Sequence, residues 1–146
     1  MAELFDILGK GSLKLSGPTS LPINDTTFTL IPMDELVVER GSFDVDPAAG
    51  TITVTKDGLY EVKSGVDVAF PGTEELQLMI FVNGNPADPD NMAIQGRGNN
   101  RPVSLFWAVT TQLSAGDVVD IRAINGDSGN TTLNFIRCKL SVENDG

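Results

Sequence analysis

The side chains able to do chemistry in this 146-residue chain are mostly oxygen bearers, because the sequence contains no histidine. That excludes Ser-His-Asp triads, histidine acid/base pairs and imidazole metal sites. Two carboxylate pairs remain. Asp44 and Asp46, ahead of Pro47, and Asp88 and Asp90, around Pro89, carry the hard oxygen ligands that Ca²⁺ takes. Neither pair has the spacing of a dedicated calcium loop, and Asp beside Pro is what turns are made of, so solvated turns are expected. Asp117 in Ser114-Ala115-Gly116-Asp117 has the chemistry of a general base but no acid partner, and a turn former is expected there too. No cofactor and no metal is expected. Arg97 and Arg101 form a basic pair suited to docking on an anionic surface, with a solvated loop as the alternative. Phe106 and Trp107 are neighbours on one alternating run and so face opposite ways. One ring belongs in the core, and the other is a subunit contact or a sugar-stacking platform.

The bulk composition narrows the partners. Ten Lys plus Arg stand against 20 Asp plus Glu, a formal net charge of -10, which repels nucleic-acid phosphates and anionic lipid. Neither nucleic acid nor membrane is an expected partner. Cys138 is the one cysteine and lies in an apolar run, so no internal disulfide can form and a small buried hydrophobe is expected. The opening residues hold an apolar patch without a basic segment and long apolar core, so neither a secretory signal nor a membrane span is expected. A cytoplasmic start is expected, and the sequons at Asn24 and Asn130 are read as loop residues.

The elements that position these groups are strands. From Tyr60 the even positions read Tyr60, Val62, Ser64, Val66, Val68, Phe70 and the odd ones Glu61, Lys63, Gly65, Asp67, Ala69. A period of two with one wet face predicts a strand. Lys56-Asp57-Gly58 joins it to a shorter alternating run, Ile52 and Val54 among Thr51, Thr53 and Thr55, and the two read as a hairpin. Leu76 to Val82 is apolar in both phases, which places a strand centrally or under a neighbouring subunit. If Leu78, Ile80 and Val82 fill the core, Met79 and Phe81 need a second cover. A three-fold subunit interface is the expected one, an intramolecular loop the alternative. Asn85 to Arg101, rich in Pro, Asn and Gly, is expected to be irregular. Alternation resumes at Val103, and a last strand is expected from Thr131 to Val142, with a slip of phase between Phe135 and Ile136 that predicts a β-bulge or burial on both faces. Short strands with turn residues between them predict an all-β antiparallel sandwich or barrel.

The order of these elements resembles the C1q/TNF-like jelly-roll superfamily. Phe43-Asp44, Gly50, Gly58-Leu59-Tyr60, Val82-Asn83-Gly84, Leu113, Gly116-Asp117-Val118 and a terminal apolar strand carry the likeness, over roughly residues 25 to 142. The resemblance implies an antiparallel jelly-roll β-sandwich that assembles as a homotrimer, with no catalytic role. No Gly-X-Y repeat precedes the domain, so the chain looks most like a small phage protein of the outer capsid surface, a decoration or cement protein bound to the major capsid protein of a virion. A receptor- or carbohydrate-binding head of a fibre or surface filament is the alternative. Met79, Phe81 and Phe106 are the expected trimer contacts. An N-terminal arm over residues 1–20 is expected ahead of a jelly-roll domain over 21–146, with Leu4, Phe5, Ile7 and Leu8, aided by Arg97 and Arg101, docking on the capsid.

Overall fold

The computed structural model describes residues 9–70, 72, 75–86, 93–97, 101–126 and 129–144, the stretch 93–97 as backbone. No helix occurs among them. The strands are β1 (Lys10–Lys14), β2 (Thr19–Ile23), β3 (Thr29–Leu30), β4 (Glu35–Arg40), β5 (Phe43–Asp46), β6 (Thr51–Val54) and β7 (Gly58–Ala69). They continue with β8 (Glu75–Val82), β9 (Asn85–Pro86), β10 (Ala93–Arg97), β11 (Pro102–Leu113), β12 (Val118–Asn125) and β13 (Thr131–Asn144). The first sheet runs β11-β7-β13-β1-β4, with β2 also on β13. The second runs β10-β8-β12-β6-β5, with β3 on β12 and β9 on β8. The pairings within both are antiparallel. The result is the expected jelly-roll sandwich, in which the long strands from β7 onward pass back and forth between the sheets.

The core lies between the sheets and follows the alternation. On β7 the even positions Tyr60, Val62, Ser64, Val66 and Val68 are buried, and Leu78, Ile80, Ile121, Phe135 and Leu140 meet them from β8, β12 and β13. Each such large apolar side chain contributes about 1.5–3 kcal/mol when fully buried. Tyr60 is the exception in chemistry. Its ring is wholly buried, edge-on to Phe43 at 5.7 Å, and its hydroxyl donates to the Lys56 carbonyl at 2.7 Å, which satisfies the buried polar atom.

Four expectations meet the structure here. The bulge is present, because the register of β13 on β7 shifts between Phe135 and Arg137. The hairpin is not: β6 pairs with β5 and β12 in the second sheet, whereas β7 pairs with β11 and β13 in the first. Turn residues reverse the chain but do not decide which sheet receives it, and here the reversal crosses the sandwich. The stretch from Asn85 to Arg101 is not irregular throughout, since β10 pairs with β8 from Ala93 opposite Met79 to Arg97 opposite Glu75. Finally, no break separates an arm at residue 20 from the sandwich. β1 is an inner strand between β13 and β4, and a Cβ at Gly11 would lie 3.0–3.2 Å from the Ile52, Val45 and Phe43 side chains, which would have to give way to a larger residue, so glycine suits this close approach of the sheets.

Candidate functional site

The outward positions of the first sheet form rows across its strands. Phe106 on β11 stands opposite Gly65 on β7, Gly65 opposite Lys139 on β13, and Lys139 opposite Lys14 on β1. The next row is Ala108, Lys63, Ser141, Ser12. Small residues therefore make the floor and long ones the rim. Ser12 and Ser141 are buried and share a hydrogen bond between hydroxyls at 3.2 Å. The Phe106 ring lies across the Gly65 backbone, where a Cβ would meet it at 3.4 Å, yet it remains 69% exposed. Between this ring and the segment Leu15 to Pro18 opens a hollow of about 750 Å³.

The hollow is cationic on an acidic chain. Lys10, Lys14, Lys63, Arg137 and Lys139 line it, five of the ten basic residues, while its carboxylates are Asp67 and Glu143. Lys63 binds Glu61 at 3.0 Å and Glu143 at 3.4 Å, and these hydrogen bonds, Glu61 first, push its pKa up. Lys10 reaches Glu143 at 3.5 Å and Arg137 reaches Asp67 at 3.4 Å. Lys14 approaches Glu35 at 3.9 Å. Lys139, exposed, makes no ion pair among the described residues. Ser104 donates to Asp67 at 2.7 Å and fixes the acid beside Arg137.

The other candidate residues lie elsewhere. Trp107 packs on the core opposite in direction to Phe106, as expected of neighbours on a strand. Met79 and Phe81 face outward on the second sheet but are 6% and 5% exposed within the single chain. Phe28 lies 4.9 Å from the Phe81 ring and the Arg122 guanidinium 4.6 Å above it. Thus the cover is intramolecular, and neither residue is left open for a neighbouring subunit. Asp120, which is buried, grips Arg122 through two contacts at 2.9 and 3.1 Å, and this bond raises the arginine pKa. Arg101 is exposed at the start of β11, and Arg97 is placed on β10 by its backbone. Leu4, Phe5, Ile7, Leu8, Asp88 and Asp90 lie outside the described residues.

The remaining carboxylates serve turns. Asp46 accepts the N–H groups of Ala48 and Ala49 at 3.1 and 3.2 Å, and Asp44 is exposed on the same outward phase. Asp117 accepts the Ser114 N–H at 2.8 Å and the Asn83 amide at 2.9 Å, tying two turns together. Cys138 is 3% exposed, and desolvation, aided by the charge of Asp67, pushes its thiol up to about 12, so no thiolate is available near neutrality.

No family model matches the chain, and no curated protein matches it in sequence. Its likeness is to solved structures. The Eiger TNF of S. frugiperda is 14% identical, with a TM-score of 0.61 over 92% of this chain and 89% of that one. The globular domain of zebrafish complement 1qA is 15% identical, with a TM-score of 0.61 over 95% and 98%. Murine APRIL is 14% identical, with a TM-score of 0.57 over 91% and 98%. The protein has the C1q/TNF-like jelly-roll fold, as the order of its turn residues led one to expect.

Sequence reasoning placed Phe106 and missed the hollow beside it. The five cations come from three strands, and only Lys63 lies on a wet face legible from alternation alone.

Proposed function

We propose that the protein is a non-enzymatic structural module that works as a homotrimer and decorates the outer surface of a virion capsid, bound to the major capsid protein. The observation that carries the assembly is Phe106, a large ring 69% exposed on a flanking strand of the first sheet. Three copies packed around an axis at this face would remove three such rings from water, each worth about 1.5–3 kcal/mol. The donor set supports a role without catalysis: the chain has no histidine, its one thiol is buried, and Asp117 is spent on a turn. Residues 1–8, with Leu4, Phe5, Ile7 and Leu8, supply the capsid anchor in this reading, helped by Arg97 and Arg101, and three anchors on one rigid body add their modest affinities into a tight contact. Deleting residues 2–8 tests it. The truncated protein is expected to keep its oligomeric state and lose binding to purified capsids; unchanged capsid binding contradicts the reading.

One observation favours a second reading, a carbohydrate-binding head. The hollow of about 750 Å³ beside an exposed aromatic has the size of a small-ligand site. A glycan that binds the free protein, and a low copy number per particle, would support this reading over decoration.

A further inference from the structure

We propose that Asn83–Gly84 is a deamidation site that the fold keeps closed and that, once it has reacted, cannot close again because Asp117 faces it. The chemistry is that of an Asn-Gly pair. The Gly84 nitrogen attacks Asn83 Cγ, so that a new C–N bond forms while the bond from Cγ to the side-chain nitrogen breaks. That nitrogen leaves as ammonia, carrying the proton from the Gly84 N–H. Water then opens the five-membered imide at either carbonyl and leaves aspartate or isoaspartate at position 83. Glycine in second place favours ring closure because it carries no Cβ to hinder the approach.

The sequence holds two Asn-Gly pairs, and the fold treats them differently. Asn125 is 5% exposed, and the Gly126 N–H donates to the Glu75 carbonyl at 2.8 Å, so both reacting groups are engaged. Asn83 and Gly84 are exposed and form the two-residue turn from β8 to β9, both at positive φ, 54° and 79°. Only the Asn83 side chain is restrained. Its amide donates to Asp117 Oδ1 and its oxygen accepts the Val118 N–H, both at 2.9 Å. An amide held to the next turn by two bonds has to release them before it swings back onto its own main chain.

The product does not fit the place the amide left. A carboxylate at 83 keeps an acceptor for the Val118 N–H but puts its second oxygen where the N–H donor stood, 2.9 Å from a carboxylate oxygen of Asp117. Two like charges at that distance repel. Isoaspartate adds a methylene to the main chain of a turn whose flanks, Val82 and Asn85, are paired, and breaks the register. The pair is therefore a one-way latch: a chain that has opened here keeps a looser junction between the two turns. The turn belongs to the second sheet, so the inference is independent of a trimer built on the first.

Peptide mapping by mass spectrometry after incubation of the full chain at mildly alkaline pH tests the site, read as the mass gain of an amide becoming an acid. The native protein is expected to react at Asn83 and not at Asn125, about tenfold more slowly than the urea-unfolded chain, and Asp117→Ala to react several-fold faster than the parent. Asn83→Asp is expected to lower the melting temperature, and combining it with Asp117→Asn, which returns a donor opposite the new carboxylate, to recover most of that loss. No reaction at Asn83 in the native chain, or reaction at Asn125 first, would overturn the site. Equal rates at Asn83 in the native and unfolded chains would overturn the guard. A loss of stability that Asp117→Asn does not recover would overturn the role of Asp117.

Discussion

The ring of Phe28 lies 4.9 Å from that of Phe81, tilted by 59°, and closes the outer face of the second sheet from within the chain. Phe81 thereby sits between an aromatic and the Arg122 guanidinium. Phe28→Ala is expected to cost about 1–2 kcal/mol in denaturant unfolding, since the ring is half-buried. Arg122→Ala should cost more, about 3 kcal/mol, because it leaves Asp120 buried without its partner. Neither substitution should alter the oligomeric state. Dissociation caused by Phe28→Ala would return this face to the subunit interface.

That cover was not legible in the sequence. Phe28 follows Asn24-Asp25-Thr26-Thr27 in a stretch rich in turn formers, more than fifty residues before Phe81, and nothing in alternation connects the two. The cations of the hollow were hidden for the same reason, since strand register alone brings Lys14, Lys139 and Gly65 into one row. What alternation does record is local. The bulge at Ile136 was visible as a slip of phase, and the one-sided face of β7 as a period of two. The Lys56–Gly58 reversal was visible as a turn, whereas its destination in the opposite sheet depends on contacts made far along the chain.

Tyr60 is the chain's one tyrosine, so its ionisation can be read spectrophotometrically without interference. Burial first, and then the charge of Asp57, raises its pKa above the usual 10.0. The folded state therefore holds the phenolic proton more tightly than the unfolded chain. The corresponding stability is fully present below the unfolded pKa and is lost as pH rises through the folded value. The native titration midpoint is expected above that of the urea-unfolded protein, and coincident midpoints would contradict the buried hydroxyl. Tyr60→Phe should cost about 0.5–1.5 kcal/mol through the lost bond to Lys56.

Cys138 gives an independent probe of the core. With its thiol pushed up to about 12 and only 3% exposed, it is expected to resist an aromatic disulfide reagent at mildly alkaline pH and to react as soon as the chain unfolds. Rapid modification of the native protein would mean that β13 opens locally.

Asn83 adopts a positive φ of 54° ahead of Gly84 and joins two turns, its side-chain oxygen accepting the Val118 N–H and its amide donating to Asp117, both at 2.9 Å. Asn83→Gly keeps the backbone easy and removes the bonds, whereas Asn83→Ala loses both. The glycine variant should lose about 1 kcal/mol and the alanine variant about 2 kcal/mol. A glycine variant as stable as the parent would show that the amide bonds contribute nothing.

In the proposed homotrimer, copies of the chain meet at the outer face of the first sheet. Sedimentation equilibrium of the full-length protein and of Phe106→Ser tests it most directly. A homotrimer for the parent, with a shift toward monomer on removing the exposed ring and no loss of monomer folding, is the predicted result. A parent protein that is monomeric at micromolar concentration, or a trimer that Phe106→Ser leaves untouched, would contradict it.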